Sequence, residues 1–193
     1  MGKTDLTLYD LGYTDKWLKY GLLDEAALRK QLEEFERGDD QNSEHYRYGT
    51  LINWLRAKEN ISEEEVNYFT ELAREDKDKL MAGSAVKELY NRFSVSDPLY
   101  ELAKDQFSQF GNWTIKHIKG KELAHALKTS ELSAELKEEA INYYHEWSSS
   151  LYIEMIIDHA QTSSFIEEFT TANFGKKIRN RASQRIKRLA RKA

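Results

Sequence analysis

The chain has 193 residues, 40% of them hydrophobic and 32% charged, which is enough apolar material for one domain or a short repeat array. It has no cysteine, which excludes disulfides and thiolate metal sites, and no apolar run approaching the roughly 18 residues of a membrane span. The net charge of -4 combines two unlike parts: residues 1–175 carry 33 acids against 20 bases, and the remainder adds nine Lys or Arg and no acid.

One proline and nine glycines suit long helices better than strands joined by tight turns. Eleven Tyr, eight Phe and four Trp oppose disorder despite a mean hydropathy of -0.76. The start "MGKTDL" does not read as a secretory signal, and Leu6 stands where a myristoylation motif has Ser or Thr. The expected location is the cytoplasm.

In chain order, residues 1–21 read as an aromatic N-terminal cap in which Tyr9, Tyr13, Trp17, Leu18 and Tyr20 cover the open face of the first helical pair. Helical hairpins are expected at 22–58, 61–93, 96–128, 130–160 and 163–192. The first contains the polar loop "RGDDQNSE" at 37–44. The second opens on "SEEE", where Ser62 and Glu65 fit a capping box. In the third, Asp97-Pro98 reads as N-cap and N1, and Gly120 interrupts the second helix at about 1 kcal/mol against Ala if that helix is continuous. Ser130 and Ser133 compete as the cap of the fourth. The fifth opens on "SFIE", where Ser164 and Glu167 again fit a capping box.

These hairpins repeat. Ser62, Ser96, Ser130 and Ser164 lie 34 residues apart. The second helices "ELYNRF", "ELAHAL" and "IIDHAQ" align at the same offset of 34, and "TLINWL" joins them at 38, its surplus falling in the 37–44 loop. Leu51, Leu89, Leu123 and Ile157 then form one column. Asn53, Asn91, His125 and His159 form a second, two residues on and about 200° round the helix, so it faces away from the core. Such a polar surface stripe suits recognition of a protein surface or an extended peptide. The alternative is four unrelated solvated residues.

The period and the hairpin pattern over about 22–193 resemble HEAT-like or TPR-like α-solenoids. The TPR signature is absent from the first helices, and the irregular columns look more like HEAT repeats. The resemblance implies an all-α fold, a right-handed α-solenoid of about five antiparallel helical hairpins in a single domain spanning 1–193, with an irregular helical bundle as the alternative. HEAT-like folds often serve as protein-binding scaffolds, and a few are DNA-repair glycosylases. No functional residue transfers with the resemblance.

Catalytic signals are weak. Glu122 and His125 make one E-x-x-H, whereas a di-iron site needs two such motifs and two further Glu. No H-E-x-x-H, G-x-S-x-G, P-loop or G-x-G-x-x-G occurs. No metal, cofactor or catalytic residue is expected. The run "YYHEW" (143–147) reads as hairpin core and turn packing, with a ligand pocket as the alternative.

The closing "GKKIRNRASQRIKRLARKA" has an apolar stripe: Ile178, Ala182, Ile186 and Leu189 fall at i, i+4, i+8 and i+11. Lys177, Arg179, Arg181, Arg185, Lys187, Arg188 and Arg191 surround it as a basic face. The expected reading is a terminal helix docked on the body, its cations partly neutralised by acids. Binding to phosphate backbones is the alternative, and the lack of Trp or Phe opposes a membrane partner. The expected function is a non-catalytic protein–protein interaction module, an acidic inhibitor, immunity-type or scaffold protein that binds a basic partner. The alternative is nucleic-acid association through the C-terminal helix, and the third reading is a HEAT-like DNA glycosylase.

Overall fold

The computed structural model describes residues 6–191, so the first five residues of the predicted cap and Lys192 at the end of the fifth predicted hairpin lie outside it. Ten α-helices and two short 3-10 helices make up the described residues, with no strand and no helix long and apolar enough to cross a membrane. The chain divides into two compact units, residues 1–114 and 115–193.

The first unit begins with a 3-10 turn (Leu8–Leu11), then α1 (Asp15–Lys19), α2 (Glu25–Arg37), α3 (Ser43–Ala57), α4 (Glu63–Glu75), α5 (Lys79–Arg92) and α6 (Tyr100–Ser108). α7 (Trp113–Thr129) starts here and runs into the second unit. The starts of these helices follow local chemistry. Asp24 accepts from the Ala27 amide at 2.7 Å, and Asp78 accepts from the Leu80 and Met81 amides at 3.0 and 2.9 Å. Ser62 and Glu65 form the expected capping box, the Glu65 amide donating to the Ser62 hydroxyl at 3.2 Å and the Ser62 amide to the Glu65 carboxylate at 2.9 Å. α2 ends at Gly38 with φ of 79°, a left-handed conformation that a Cβ disfavours.

α5 is the centre of this unit. Ala82, Val86 and Leu89 recur at helical spacing on it and are buried, and α3, α4 and α6 all pack against it. α4 supplies Val66, Phe69 and Leu72 to the same core and also packs on α6. Tyr90 stacks on Phe107 of α6 with centroids 4.7 Å apart, and its hydroxyl lies 3.0 Å from that of Tyr100.

The N-terminal segment is fastened to this core by polar contacts. The Arg47 guanidinium of α3 donates from Nε and Nη2 to Asp76 at 2.7 and 3.0 Å, the two side chains only 6% and 5% exposed. Its Nη1 donates to the Leu11 carbonyl at 2.8 Å and to Ser43 Oγ at 3.0 Å. Gly12, at φ of 75°, lets the chain pass over this group: a Cβ there would lie 2.6 Å from Arg47 Nη1. Tyr13 reaches Gln31 Oε1 and Thr50 Oγ1, each at 2.7 Å, and Lys16 pairs with Glu71 and Glu75 of α4. Tyr20 stacks on Tyr68 at 4.0 Å. Of the expected cap aromatics, Tyr13 and Trp17 are buried, but Tyr9 is 61% exposed and donates to Asp15 instead.

The second unit holds the rest of α7, then α8 (Ala134–Trp147), α9 (Leu151–His159), a second 3-10 turn (Glu167–Thr170) and α10 (Lys176–Ala190). Ile153, Ile156 and Ile157 of α9 are fully buried, and α9 packs on both α8 and α10. Ile178 and Ala182 of α10 are buried in the same core, with Ile186 and Leu189 partly buried against it, so the predicted apolar stripe is the docking face of the last helix.

One helix start that the sequence left open is resolved and two predicted ones, Ser164 and Asp97-Pro98, are corrected. Ser133, not Ser130, caps α8 by accepting from the Leu136 amide. Ser164 caps nothing; Ile166 and Phe169, three residues apart and both buried, instead anchor the one-turn 3-10 helix, whose three-residue repeat matches their spacing. Asp97 accepts from the Leu99 amide at 2.9 Å and its carbonyl from the Tyr100 amide at 3.0 Å, so Asp97-Pro98 makes a turn and α6 begins at Tyr100.

Gly120 does not break α7, which is continuous across it. Its role is close approach: a Cβ would meet the Tyr152 hydroxyl at 2.7 Å and the Tyr143 hydroxyl at 2.9 Å. Both rings are buried and cross edge to face at 4.8 Å, so neither yields freely. Gly120→Ala is expected to destabilise the second unit although Ala favours a helix by about 1 kcal/mol. Denaturant unfolding checks this, with Gly120→Ala in a Tyr152→Phe background recovering part of the loss. Arg47→Met is expected to cost about 3–5 kcal/mol, because it leaves a buried carboxylate unpaired. The double change Arg47→Met with Asp76→Leu is expected to recover much of it, and amide hydrogen exchange in α3–α5 measures both.

Candidate functional site

Leu51, Leu89, Leu123 and Ile157 are all buried, as the first column requires. In the second column, Asn53, Asn91 and His159 are exposed on α3, α5 and α9, whereas His125 is half-buried on α7. Asn53 and Asn91 belong to the first unit, His125 and His159 to the second. His159 turns its Nδ1–H onto the Met155 carbonyl of its own helix at 2.8 Å. Asn91 borders a surface hollow with Arg92 and Phe93. No hydrogen bond among the described residues joins members of this column. No group of three His, Asp or Glu side chains among the described residues is placed to share a metal ion.

The basic face of α10 divides in two. Arg181 forms a fork onto Asp158 and also donates to Glu154 at 2.9 Å, while Lys177 pairs with Glu154 at 2.7 Å. Arg185 donates to the Ala160 carbonyl at 2.7 Å. Arg179 is half-buried, and its Nε, like that of Arg185, is shielded without a partner. Lys187, Arg188 and Arg191 lie exposed beyond these contacts. The tail is thus a docked helix held by its apolar stripe and by two carboxylates of α9, with a cationic patch left at its C-terminal end.

A hollow in the second unit lies between α7 and α8, with a volume of about 460 Å³. Leu123 and Tyr143 form its floor and Trp147 one wall. Glu122, Glu139 and Glu146 line it, together with Lys119. Tyr143 packs on Trp147 at 4.4 Å and donates to the Lys116 carbonyl at 3.1 Å. Burial pushes the nearby Tyr152 hydroxyl up to about 12, so it stays protonated against Tyr143. The aromatic run 143–147 therefore supplies both core and pocket: the i, i+4 pair Tyr143 and Trp147 faces α7. Glu139 and Glu146 share α8 with this pair, whereas Lys119 and Glu122 come from α7, a juxtaposition that no local motif encodes.

Charge is distributed unevenly. Residues 1–114 carry 23 acids and 15 bases, and residues 115–193 carry 10 acids and 14 bases. In the first unit Glu25, Glu33, Glu36, Glu59, Glu63 and Glu88 are all exposed, and none forms an ion pair among the described residues. No family model, curated protein or solved structure matches this chain.

The α9–α10 ion pairs carry a pH signature. The Arg181 fork holds Asp158 below the usual carboxylate range. Burial pushes Glu154 up, but bonds from Lys177 and Ser150 together with the Arg181 charge outweigh it and leave it lowered. Carboxylates depressed on folding contribute stability that is complete above their ordinary values and is lost as pH falls through the folded ones. The docking of α10 is therefore expected to weaken below about pH 4–5. Glu154→Gln with Asp158→Asn is expected to remove that dependence and lower protection of α10 at neutral pH, as read by hydrogen exchange at several pH values.

Proposed function

We propose that this chain is a non-catalytic binding module whose partner is a protein with a basic surface. The observation that carries this reading is the set of exposed, unpaired carboxylates of the first unit, on α2, α4, α5 and the loop after α3. Such a field steers a cationic partner and repels nucleic acid. The docked tail supports it: Arg181, Lys177 and Arg185 are already engaged by the body, so less than the full positive charge of α10 faces outward. Within the first unit, α3 packs on α5 and α4 on α6, second helix against second and first against first. That succession supports a HEAT-like stacking of hairpins, an architecture suited to presenting a broad surface to another macromolecule. An inhibitor or immunity-type antagonist of a basic protein fits this charge pattern.

A second reading is carried by Lys187, Arg188 and Arg191, exposed within the last turns of α10. They make a small phosphate-binding patch, in which each contact adds salt sensitivity.

Capture from a nuclease-treated native lysate, followed by reconstitution with the purified partner, tests the first reading. The expected complex survives nuclease and loses about tenfold or more in affinity between roughly 0.05 and 0.3 M salt. Loss of the captured protein on nuclease treatment, or an affinity indifferent to salt, would overturn it. Changing Lys187, Arg188 and Arg191 together to Gln is expected to leave the protein complex intact. Under the second reading the same change instead abolishes binding to a DNA or RNA duplex. Deletion of the tail would not serve as this test, because it would strip Ile178 and Ala182 from the core.

A further inference from the structure

We infer that the hollow between α7 and α8 is an arginine-binding pocket, which takes a guanidinium side chain from a basic protein. The inference rests on the basic-partner reading and places one contact of it. Lys119, Glu122 and Ala126 recur at i, i+3 and i+7 along α7, and Glu139, Asn142 and Glu146 do so along α8, so two helix faces form the walls. The floor is apolar and aromatic, from Leu123 and Tyr143, with the Trp147 ring standing beside them. Three carboxylates and a half-buried indole in a hollow of about 460 Å³ form an environment for a cation with a flat apolar body.

The chain itself shows how a cation sits there. Lys119 Nζ lies 5.1 Å from the centroid of the Trp147 ring and 3.6 Å from Glu146 Oε2. Lys119 and Glu146 are both more than half exposed, so this internal ammonium is weakly held and free to swing away. Glu139, exposed on the same face of α8, forms no ion pair among the described residues. An arriving guanidinium can lie flat on the indole where the ammonium now sits and direct its fork at Glu146 or Glu139. A lysine from the partner cannot do both, because its ammonium is a strongly hydrated point charge without a planar face. The three carboxylates oppose an anionic ligand in this position.

Titration of the intact chain with a capped tetra-arginine peptide tests the pocket, followed by the indole N–H resonance of Trp147 and by calorimetry. Trp147→Phe assigns that resonance. The expected result is a saturable shift of Trp147 and of the α7 and α8 amides, with tetra-arginine several-fold tighter than tetra-lysine. Glu139→Gln with Glu146→Gln changes exposed side chains only, and is expected to weaken binding about five- to tenfold with an unchanged circular dichroism spectrum. Lys119→Ala removes the internal competitor and is expected to tighten binding several-fold. Lys128→Ala, on the opposite side of α7, removes the same charge and is expected to leave affinity nearly unchanged. Equal gains from the two lysine variants would overturn the pocket, since a general field would then explain both. Shifts confined to residues 1–114 with Trp147 silent would overturn the pocket and leave the basic-partner reading standing. Absence of binding by either peptide would overturn the pocket also, while the partner reading would still be decided by its own capture and salt series.

Discussion

The first unit depends on the buried ion pair between Arg47 and Asp76. Arg47 and Asp76 are both almost fully removed from water, and neither charge is tolerable there alone. Together they satisfy each other through a two-bond fork, and the remaining Arg47 donor is given to the Leu11 carbonyl and to Ser43. Asp76 also accepts from the Asp78 amide at 2.8 Å, so it shapes the turn from which α5 starts. One guanidinium thus joins the N-terminal segment, α3 and the α4–α5 connection. A hydrophobic pair of the same volume would supply comparable stability, but without a directional reason for the backbone at Leu11 to lie where it does. The requirement reaches back into the chain as Gly12, because no Cβ fits beside Arg47.

The second unit depends instead on a close crossing. Gly120 admits the hydroxyl ends of Tyr143 and Tyr152 to the backbone of α7. Tyr143 then hydrogen-bonds the Lys116 carbonyl one turn earlier and holds Trp147 upright at the edge of the hollow. The glycine that weakens the helix locally is therefore what allows α8 to approach it. Packing outweighs propensity here, since propensity amounts to about 1 kcal/mol at one residue and several buried side chains depend on the approach.

Much of the helical order was legible in the sequence because its determinants are local. Each expected span from 22–58 to 130–160 contains two helices, and the column Leu51, Leu89, Leu123 and Ile157 is buried throughout, because helical spacing alone places it. Ser62 and Glu65 cap as their spacing demands. Reading failed where a distant contact decides. Ser164 has the capping pattern of Ser62, but Ile166 and Phe169 are drawn into the core and only a 3-10 turn survives between them. Tyr9 looked like Tyr13, yet only Tyr13 finds buried partners in Gln31 and Thr50. The Arg47–Asp76 pair spans 29 residues and was invisible, as was the meeting of Glu139 and Glu146 with the face of α7.

The same distinction between local pattern and distant contact governs the charged tail. By composition, residues 176–193 are a basic arm. Their apolar stripe converts that arm into a helix of the core, and the core answers with Glu154 and Asp158 on the adjacent helix. Those two acids face α10 and are no longer available to a partner, and the cations they hold are no longer available to phosphate. Exposed charge of opposite sign remains at two places: carboxylates on α2, α4 and α5 of the first unit, and cations at the last turns of α10. The net charge of -4 therefore conceals a surplus of acids in the first unit and of bases in the second. In the second unit, Glu139 and Glu146 border a hollow with an aromatic wall, which is why the proposed recognition of a basic side chain is placed there and not at the tail.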